Sequence, residues 1–207
     1  VSMKNWKYIL LSVILFPLVG MVSSCSEDTE AEGEFDTWQE KNEKVLDQWA
    51  ANSSYRKILT FSKDESTTMS FKNTDFIYVE VLESGDGTET PLYTDTCRVA
   101  YRGHYIPTVS YPEGLVFDQN YLDDFSWMTA GTSKFVAGAL VNGFSTALMH
   151  MHVGDRWRVR IPYMLGYGKS DYSSGSNTIP GYSNLVFEIA LYDFWHPGEY
   201  RSNFKSR

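Results

Sequence analysis

The strongest constraint on this chain is a period-two alternation of apolar and charged residues. Trp157, Val159 and Ile161 alternate with Arg156, Arg158 and Arg160. Cys97, Val99, Tyr101 and Tyr105 alternate with Arg98, Arg102 and His104. Successive side chains of an extended strand point to opposite faces, so each run lays one face on a core and the other in water. A helix would scatter the same residues around its circumference. Two further strands are predicted. Residues 76–82 form one, stopped by the turn cluster Ser84-Gly85-Asp86-Gly87, and Leu185, Phe187, Ile189 and Leu191 mark the other. Between them, residues 143–151 read as one short helix before the turn Val153-Gly154-Asp155. The predicted fold class is α+β, a mostly antiparallel sheet with one helix covering a face. Aromatic residues make up 15% of the chain, which favours strands.

A second helix is predicted ahead of the sheet. Phe35, Trp38, Val45, Leu46 and Trp49 recur at helical intervals, and Thr37-Trp38-Gln39-Glu40 has capping-box spacing. The helix spans about 37–51 and ends at Asn52-Ser53-Ser54. Its Trp and Leu stripe suits docking on its own domain or a dimer seam, and the first is the simpler use. Residues 55–73 carry a weak signal, with a short strand around 57–62.

The first residues read as a targeting segment. Lys4 and Lys7 precede an apolar stretch over 8–21, broken by Ser12, Pro17 and Gly20. A membrane-spanning helix needs about 20 apolar residues, so this stretch is short for one. Val22-Ser23-Ser24-Cys25 follows; small residues ahead of a cysteine resemble the lipobox of bacterial lipoproteins. The expectation is a signal peptide over 1–24, with Met3 as initiator, and acylation of Cys25. An acidic tether over 25–36 then begins Ser26-Glu27-Asp28-Thr29-Glu30. Such a run suits a solvated tether or a surface-export signal equally. The expected location is the cell envelope, lipid-anchored in the outer membrane and facing periplasm or surface. With Cys25 acylated, Cys97 is the only thiol left of two cysteines and reads as a packing residue. Losing Lys4 and Lys7 takes the net charge from −8 to −10. So acidic a chain repels phosphate, which disfavours nucleic acid and leaves the lipid as the expected membrane contact.

Residues from about 74 to 194 carry a series of motifs in a recognisable order. They are FIYVEVLESGDG, TCRVAYRG, LVFDQ, ALVNGF, MHVGDRWRVRIPYMLGYG and IPGYSNLVFEIAL. The series resembles the FKBP-type peptidyl-prolyl cis/trans isomerases. The resemblance implies a bent antiparallel sheet wrapped on a short helix, here over 74–197. A signal peptide, tether and helical extension over 37–73 precede it, and a tail over 198–207 follows. It also implies a pocket of Tyr101, Phe117, Asp118, Phe144, Tyr167, Ile179 and Phe187, with Leu140 and Val141 binding substrate. Asp118, the Tyr167 hydroxyl and the Val141 N–H are its implied polar contacts. The implied partners are proline-containing polypeptides and macrolide ligands, with no cofactor and no metal.

Three positions depart from the family pattern. Phe144 stands where the family has a Trp. The family's pocket Phe falls on Ser133, unless a gap brings Phe125 or Phe135 into its place. The Arg that steadies the family's Asp falls on Asp123. The loops over 104–115 and 169–178 are also longer than the pattern. Isomerase activity is the first functional expectation; a catalytically weak peptide-binding or chaperone lipoprotein on the same fold is the alternative. Other chemistry finds little support. His150 and His152 lack the i, i+4 spacing of a helical zinc pair. Asp118, Asp123 and Asp124 lack EF-hand spacing, and no G-x-S-x-G elbow marks a hydrolase.

Overall fold

The computed structural model describes residues 33, 35–64, 66, 70–174 and 177–199. The expected signal peptide, Cys25, most of the tether and the tail from residue 200 lie outside the described residues. Described elements run in the order α1 (Trp38–Ala51), β1 (Arg56–Leu59), β2 (Phe76–Glu83), β3 (Thr96–Tyr105), β4 (Val116–Gln119) and β5 (Ser133–Val136). Then come α2 (Asn142–Leu148), β6 (Arg156–Ile161), β7 (Tyr172–Ser174), β8 (Asn177–Ile179) and β9 (Leu185–Trp195).

Seven strands form one sheet in the order β1-β2-β6-β9-β3-β4, with β5 also pairing with β3, and every pairing is antiparallel. β3 holds β9 along its length and splits its other edge between β4 and β5. The register slips between Gly103 and His104 against β4, and between Arg98 and Val99 against β9. Such irregularities bend a strand and let the sheet curl around a helix. That helix is α2, of which Phe144, Ala147 and Leu148 are buried. A Cβ on Gly143 would lie 2.3 Å from Ile161 Cγ2, so glycine lets α2 approach β6.

The predicted alternation is realised in β6. Trp157, Val159 and Ile161 are buried on the helix side. On the other face Arg156 bridges Glu83 (3.1 Å) and Glu188 (3.0 Å), Arg158 reaches Glu188 (2.6 Å) and Glu80 (3.4 Å), and Arg160 reaches Glu80 (2.9 Å). Burial works to raise the Glu188 carboxyl. Hydrogen bonds from Arg158 and Arg156 outweigh it and hold the group below the usual carboxylate range. Cys97 is fully buried, and burial beside Asp95 pushes its thiol up to about 12, as suits a packing residue.

Helix α1 docks on its own domain through Trp38, Leu46 and Trp49, all buried. Burying Leu46 alone contributes about 1.5–3 kcal/mol. The expected capping box is not formed. Thr37 has φ 53, and its hydroxyl donates to the Asp36 carbonyl at 2.7 Å rather than accepting from the first helical turn. The weak strand expected around 57–62 is β1, which pairs with β2 from Arg56 to Leu59. The expected 169–178 loop holds the small β7–β8 hairpin.

Candidate active site

Five of the predicted pocket residues, Tyr101, Phe117, Asp118, Phe144 and Phe187, meet on the helix side of the sheet and are joined there by Gly103 and Phe135. Tyr101 and Gly103 lie on β3, Phe117 and Asp118 on β4, Phe135 on β5, Phe144 on α2 and Phe187 on β9. Phe144 and Phe187 rings pack edge to face at 5.0 Å, Phe117 and Phe187 at 5.5 Å, and Tyr101 and Phe144 at 6.1 Å. Edge-to-face packing sets the electropositive rim of one ring against the π face of the next. The assembly is a cup with Phe144 and Phe187 at its base; both are buried, while Tyr101 and Phe117 are half-buried.

Gly103 makes the cup possible, a role that motif reading missed. A Cβ there would lie 2.4 Å from Phe187 Cε1 and 2.9 Å from Phe117 Cζ. A glycine breaking an alternating strand is the signal that could have found it, because it marks a close approach. Phe135 also belongs to the cup, its ring 5.7 Å from Tyr101. Ser133 instead accepts a hydrogen bond from Asn120 Nδ2 at 3.1 Å. Phe125 packs between Tyr121 and Trp127 in a separate cluster. Of the three positions weighed, Phe135 is the one whose ring packs against Tyr101.

The Tyr101 hydroxyl donates to Asp118 Oδ2 at 2.9 Å. Burial, then the hydrogen bond and charge of Asp118, push the Tyr101 hydroxyl well above the usual tyrosine range, so it stays a donor at neutral pH. Burial first, then the nearby Tyr172 and the charge of Asp118, raise the Tyr167 hydroxyl above the usual tyrosine range. Its ring stacks on Tyr172 at 4.5 Å. Asp123 is exposed and its backbone carbonyl accepts from Arg102 at 2.9 Å. Orientation of Asp118 thus comes from Tyr101, with Asp123 taking no part in it. Ile179, at the end of β8, is buried, and Leu140 and Val141 are half-buried just ahead of α2. The Val141 carbonyl accepts from the Phe144 and Ser145 N–H groups and starts the helix that carries Phe144. His150 Nδ1 lies 2.8 Å from the Thr146 carbonyl, consistent with a helix-end role.

A cleft of about 530 Å³ opens elsewhere, lined by Trp49, Tyr55, Arg102, Arg158, Arg160 and Glu188 among others. Its charged lining would solvate an amide rather than strip it of water, so the aromatic cup is the better site for chemistry that needs desolvation.

Residues 87–192 match the family model described as FKBP-type peptidyl-prolyl cis-trans isomerase. The chain belongs to this family. It is 33% identical over 121 residues to the macrophage infectivity potentiator of Trypanosoma cruzi, covering 58% of this chain and 54% of that protein. It is 32% identical over 157 residues to the FKBP-type peptidyl-prolyl cis-trans isomerase FkpA of Escherichia coli, covering 75% of this chain and 50% of that one. The chain spans about half the length of these curated relatives. The FKBP fold is likewise that of the crystal structure of Escherichia coli FkpA, with TM-score 0.53, 24% identity and coverage of 75% and 58%. A Pseudomonas syringae peptidyl-prolyl cis-trans isomerase gives TM-score 0.54 at 20% identity, covering 79% of this chain and 97% of that one.

Proposed function

We propose that this FKBP-family chain accelerates cis/trans isomerisation of Xaa-Pro bonds in exported polypeptides. The observation that carries the reading is the cup of Phe117, Phe135, Phe144 and Phe187, with the Tyr101–Asp118 hydrogen bond at its edge. The reaction needs no nucleophile. Its barrier of about 18–20 kcal/mol is the loss of amide conjugation on rotation. A twisted amide carries less charge separation than a planar one, so an apolar cup stabilises it relative to the ground state. In this reading the cup seats the proline ring, and Ile179, Leu140 and Val141 flank it. The protonated Tyr167 hydroxyl offers a donor, while the Tyr101 hydroxyl spends its one proton on Asp118 and holds that carboxylate at the rim. A macrolide with a proline-like ring would occupy the same cup.

The test is exchange NMR on an Ala-Pro peptide with the full chain in detergent micelles. Wild type is expected to accelerate exchange. Tyr101→Phe, which keeps the ring, and Asp118→Asn are each expected to lower kcat/KM about tenfold, the equivalent of one charge-assisted hydrogen bond, with melting shifted far less. Among the described residues no ion pair to Asp118 is seen, and this, with the Phe at position 144, favours the alternative, a peptide-binding or chaperone role with little turnover. Peptide binding without acceleration in wild type would select it.

The same proposal extends to location. Val22-Ser23-Ser24-Cys25 supports acylation of Cys25, with the domain tethered in the cell envelope. Each buried CH₂ of an acyl chain adds about 0.8 kcal/mol, so two chains anchor stably. Cys25→Ala is expected to move the protein from the membrane to the soluble fraction or leave it unprocessed. Identical partitioning of wild type and variant would remove the lipid from the account.

A further inference from the structure

Two residues that the isomerase reading sets around the cup, Ile179 and Tyr167, lie off the main sheet. Ile179 ends the β7–β8 hairpin, and Tyr167 follows the single helical turn Tyr163–Leu165. The segment after Ile179 is held in an unusual shape, because Tyr182 has φ 62, a region costly for a bulky residue.

Gly181 and Tyr182 are held locally, their N–H groups donating to Asp171 Oδ1 at 2.8 Å and to the Gly168 carbonyl at 3.0 Å, while Ser183 and Asn184 are held by α1, well over a hundred residues earlier. Trp38 Nε1 donates to Ser183 Oγ at 2.9 Å, and that hydroxyl donates to the Pro180 carbonyl at 2.7 Å. The Asn184 N–H donates to Asn42 Oδ1 at 2.8 Å, and Asn184 Nδ2 donates to the Asn42 carbonyl at 2.7 Å. Asn42 Nδ2 donates to the Trp38 carbonyl at 2.8 Å. Both asparagines are 0% exposed. Buried amides of this kind are costly when unpaired, and here the oxygen and nitrogen of each side chain have partners.

From Asn184 the connection runs on toward Tyr167. Its Oδ1 accepts from the Tyr163 N–H at 3.0 Å. The Tyr163 carbonyl accepts from the Gly168 N–H at 2.8 Å, and the Gly168 carbonyl accepts from the Tyr182 N–H at 3.0 Å. Tyr167 immediately precedes Gly168. The segments that carry Ile179 and Tyr167 are therefore tied together and then to α1 through one pair of asparagines and one indole.

We propose that Asn42 and Trp38 are positioning residues for the active site: α1 clamps the Pro180–Asn184 segment and so sets Ile179 and Tyr167 against the cup. The family model covers residues 87–192, so the α1 side of the clamp, Trp38 and Asn42, lies outside the part of the chain it covers. The proposal rests on the isomerase reading for its effect on turnover, but the clamp itself can be read without activity.

The test compares Asn42→Ala and Trp38→Phe with Leu46→Ala in the full chain, in detergent and well below melting. Leu46 is buried on the same helix, and no side-chain hydrogen bond links it to the segment. Two readouts are taken: kcat and KM on an Ala-Pro peptide, and hydrogen exchange of the segment 178–186 by mass spectrometry. In both clamp variants exchange of 178–186 is expected to rise about tenfold, with β6 unchanged, and KM to rise about tenfold with kcat less affected. Leu46→Ala is expected to lower the melting temperature while leaving KM and the local exchange as in wild type. Folded clamp variants with wild-type KM and wild-type exchange would overturn the proposal. So would a Leu46→Ala variant that raises both as much as Asn42→Ala does. If Asn42→Ala does not fold, Trp38→Phe decides, since it keeps an aromatic six-membered ring in place while losing the indole N–H. Should wild type neither bind nor turn over the peptide, the isomerase reading fails, and the exchange measurement alone still decides the clamp.

Discussion

Phe144→Ala is expected to destabilise the protein by about 3–5 kcal/mol and to open the base of the cup. The ring is 4% exposed and packs on Phe187 at 5.0 Å and Tyr101 at 6.1 Å. Alanine would leave a void bordered by aromatic faces, and α2 is too tightly held to close it. Gly143, the residue before it, already sits against Ile161. Two losses should therefore appear together, one in chemical unfolding and one in peptide affinity. Phe144→Trp restores the residue type of the family pattern. It is expected to fold and to match or exceed wild type in binding a macrolide. Unchanged unfolding and unchanged binding in the alanine variant would place Phe144 outside both the core and the pocket.

Where burial is one-sided, the fold was legible from residue pattern alone. β6 and the two ends of β3 alternate buried with partly exposed residues, so a period of two identifies them, while the middle of β3 breaks it at the buried pair Val99 and Ala100. α1 was legible from its Trp and Leu spacing, and that stripe is buried against its own domain. Short edge elements were not. β4 and β5 have only four residues each, too few for alternation to stand out from a loop. The β7–β8 hairpin has three residues a side, and its only apolar pair is Tyr172 opposite Ile179, so no period of two can show. The capping box failed for a local reason, since Thr37 takes a left-handed conformation and spends its hydroxyl on Asp36. At the site, the family motifs marked Tyr101, Phe117, Asp118, Phe144 and Phe187, which the fold brings together. They offered Phe135 only as one of three positions, since the pattern itself falls on Ser133. Nor could they mark the Asn42–Asn184 pairing, since a contact between distant polar residues leaves no periodic trace.

The largest effect on turnover is expected at a residue with no side chain. Gly103 sits in β3 between Asp118 of β4 and Phe187 of β9. Both neighbours belong to the cup, and the Phe117 and Phe187 rings occupy the space a side chain at Gly103 would need. An added Cβ would stand 2.4 Å from Phe187 Cε1, closer than real contacts allow, and 2.9 Å from Phe117 Cζ. β3 cannot retreat, because it is paired on both edges. The rings must therefore move, and they are the surface that desolvates the amide. Overpacking of this kind costs about 1–3 kcal/mol of stability. Displacing catalytic groups by about 1 Å can cost about 10²-fold in rate. Gly103→Ala is accordingly expected to remain folded at low temperature while losing about 100-fold in kcat/KM, more than Tyr101→Phe or Asp118→Asn. Exchange NMR on the Ala-Pro peptide measures the loss, and a melt of the same sample shows whether enough of the protein is folded to interpret it. A second variant separates the clash from other effects. Gly103→Ala combined with Phe117→Leu removes the ring at 2.9 Å but leaves the one at 2.4 Å, so it should recover stability before it recovers activity. A Gly103→Ala protein with wild-type turnover would show that Phe117 and Phe187 do not form the surface on which the proline amide twists.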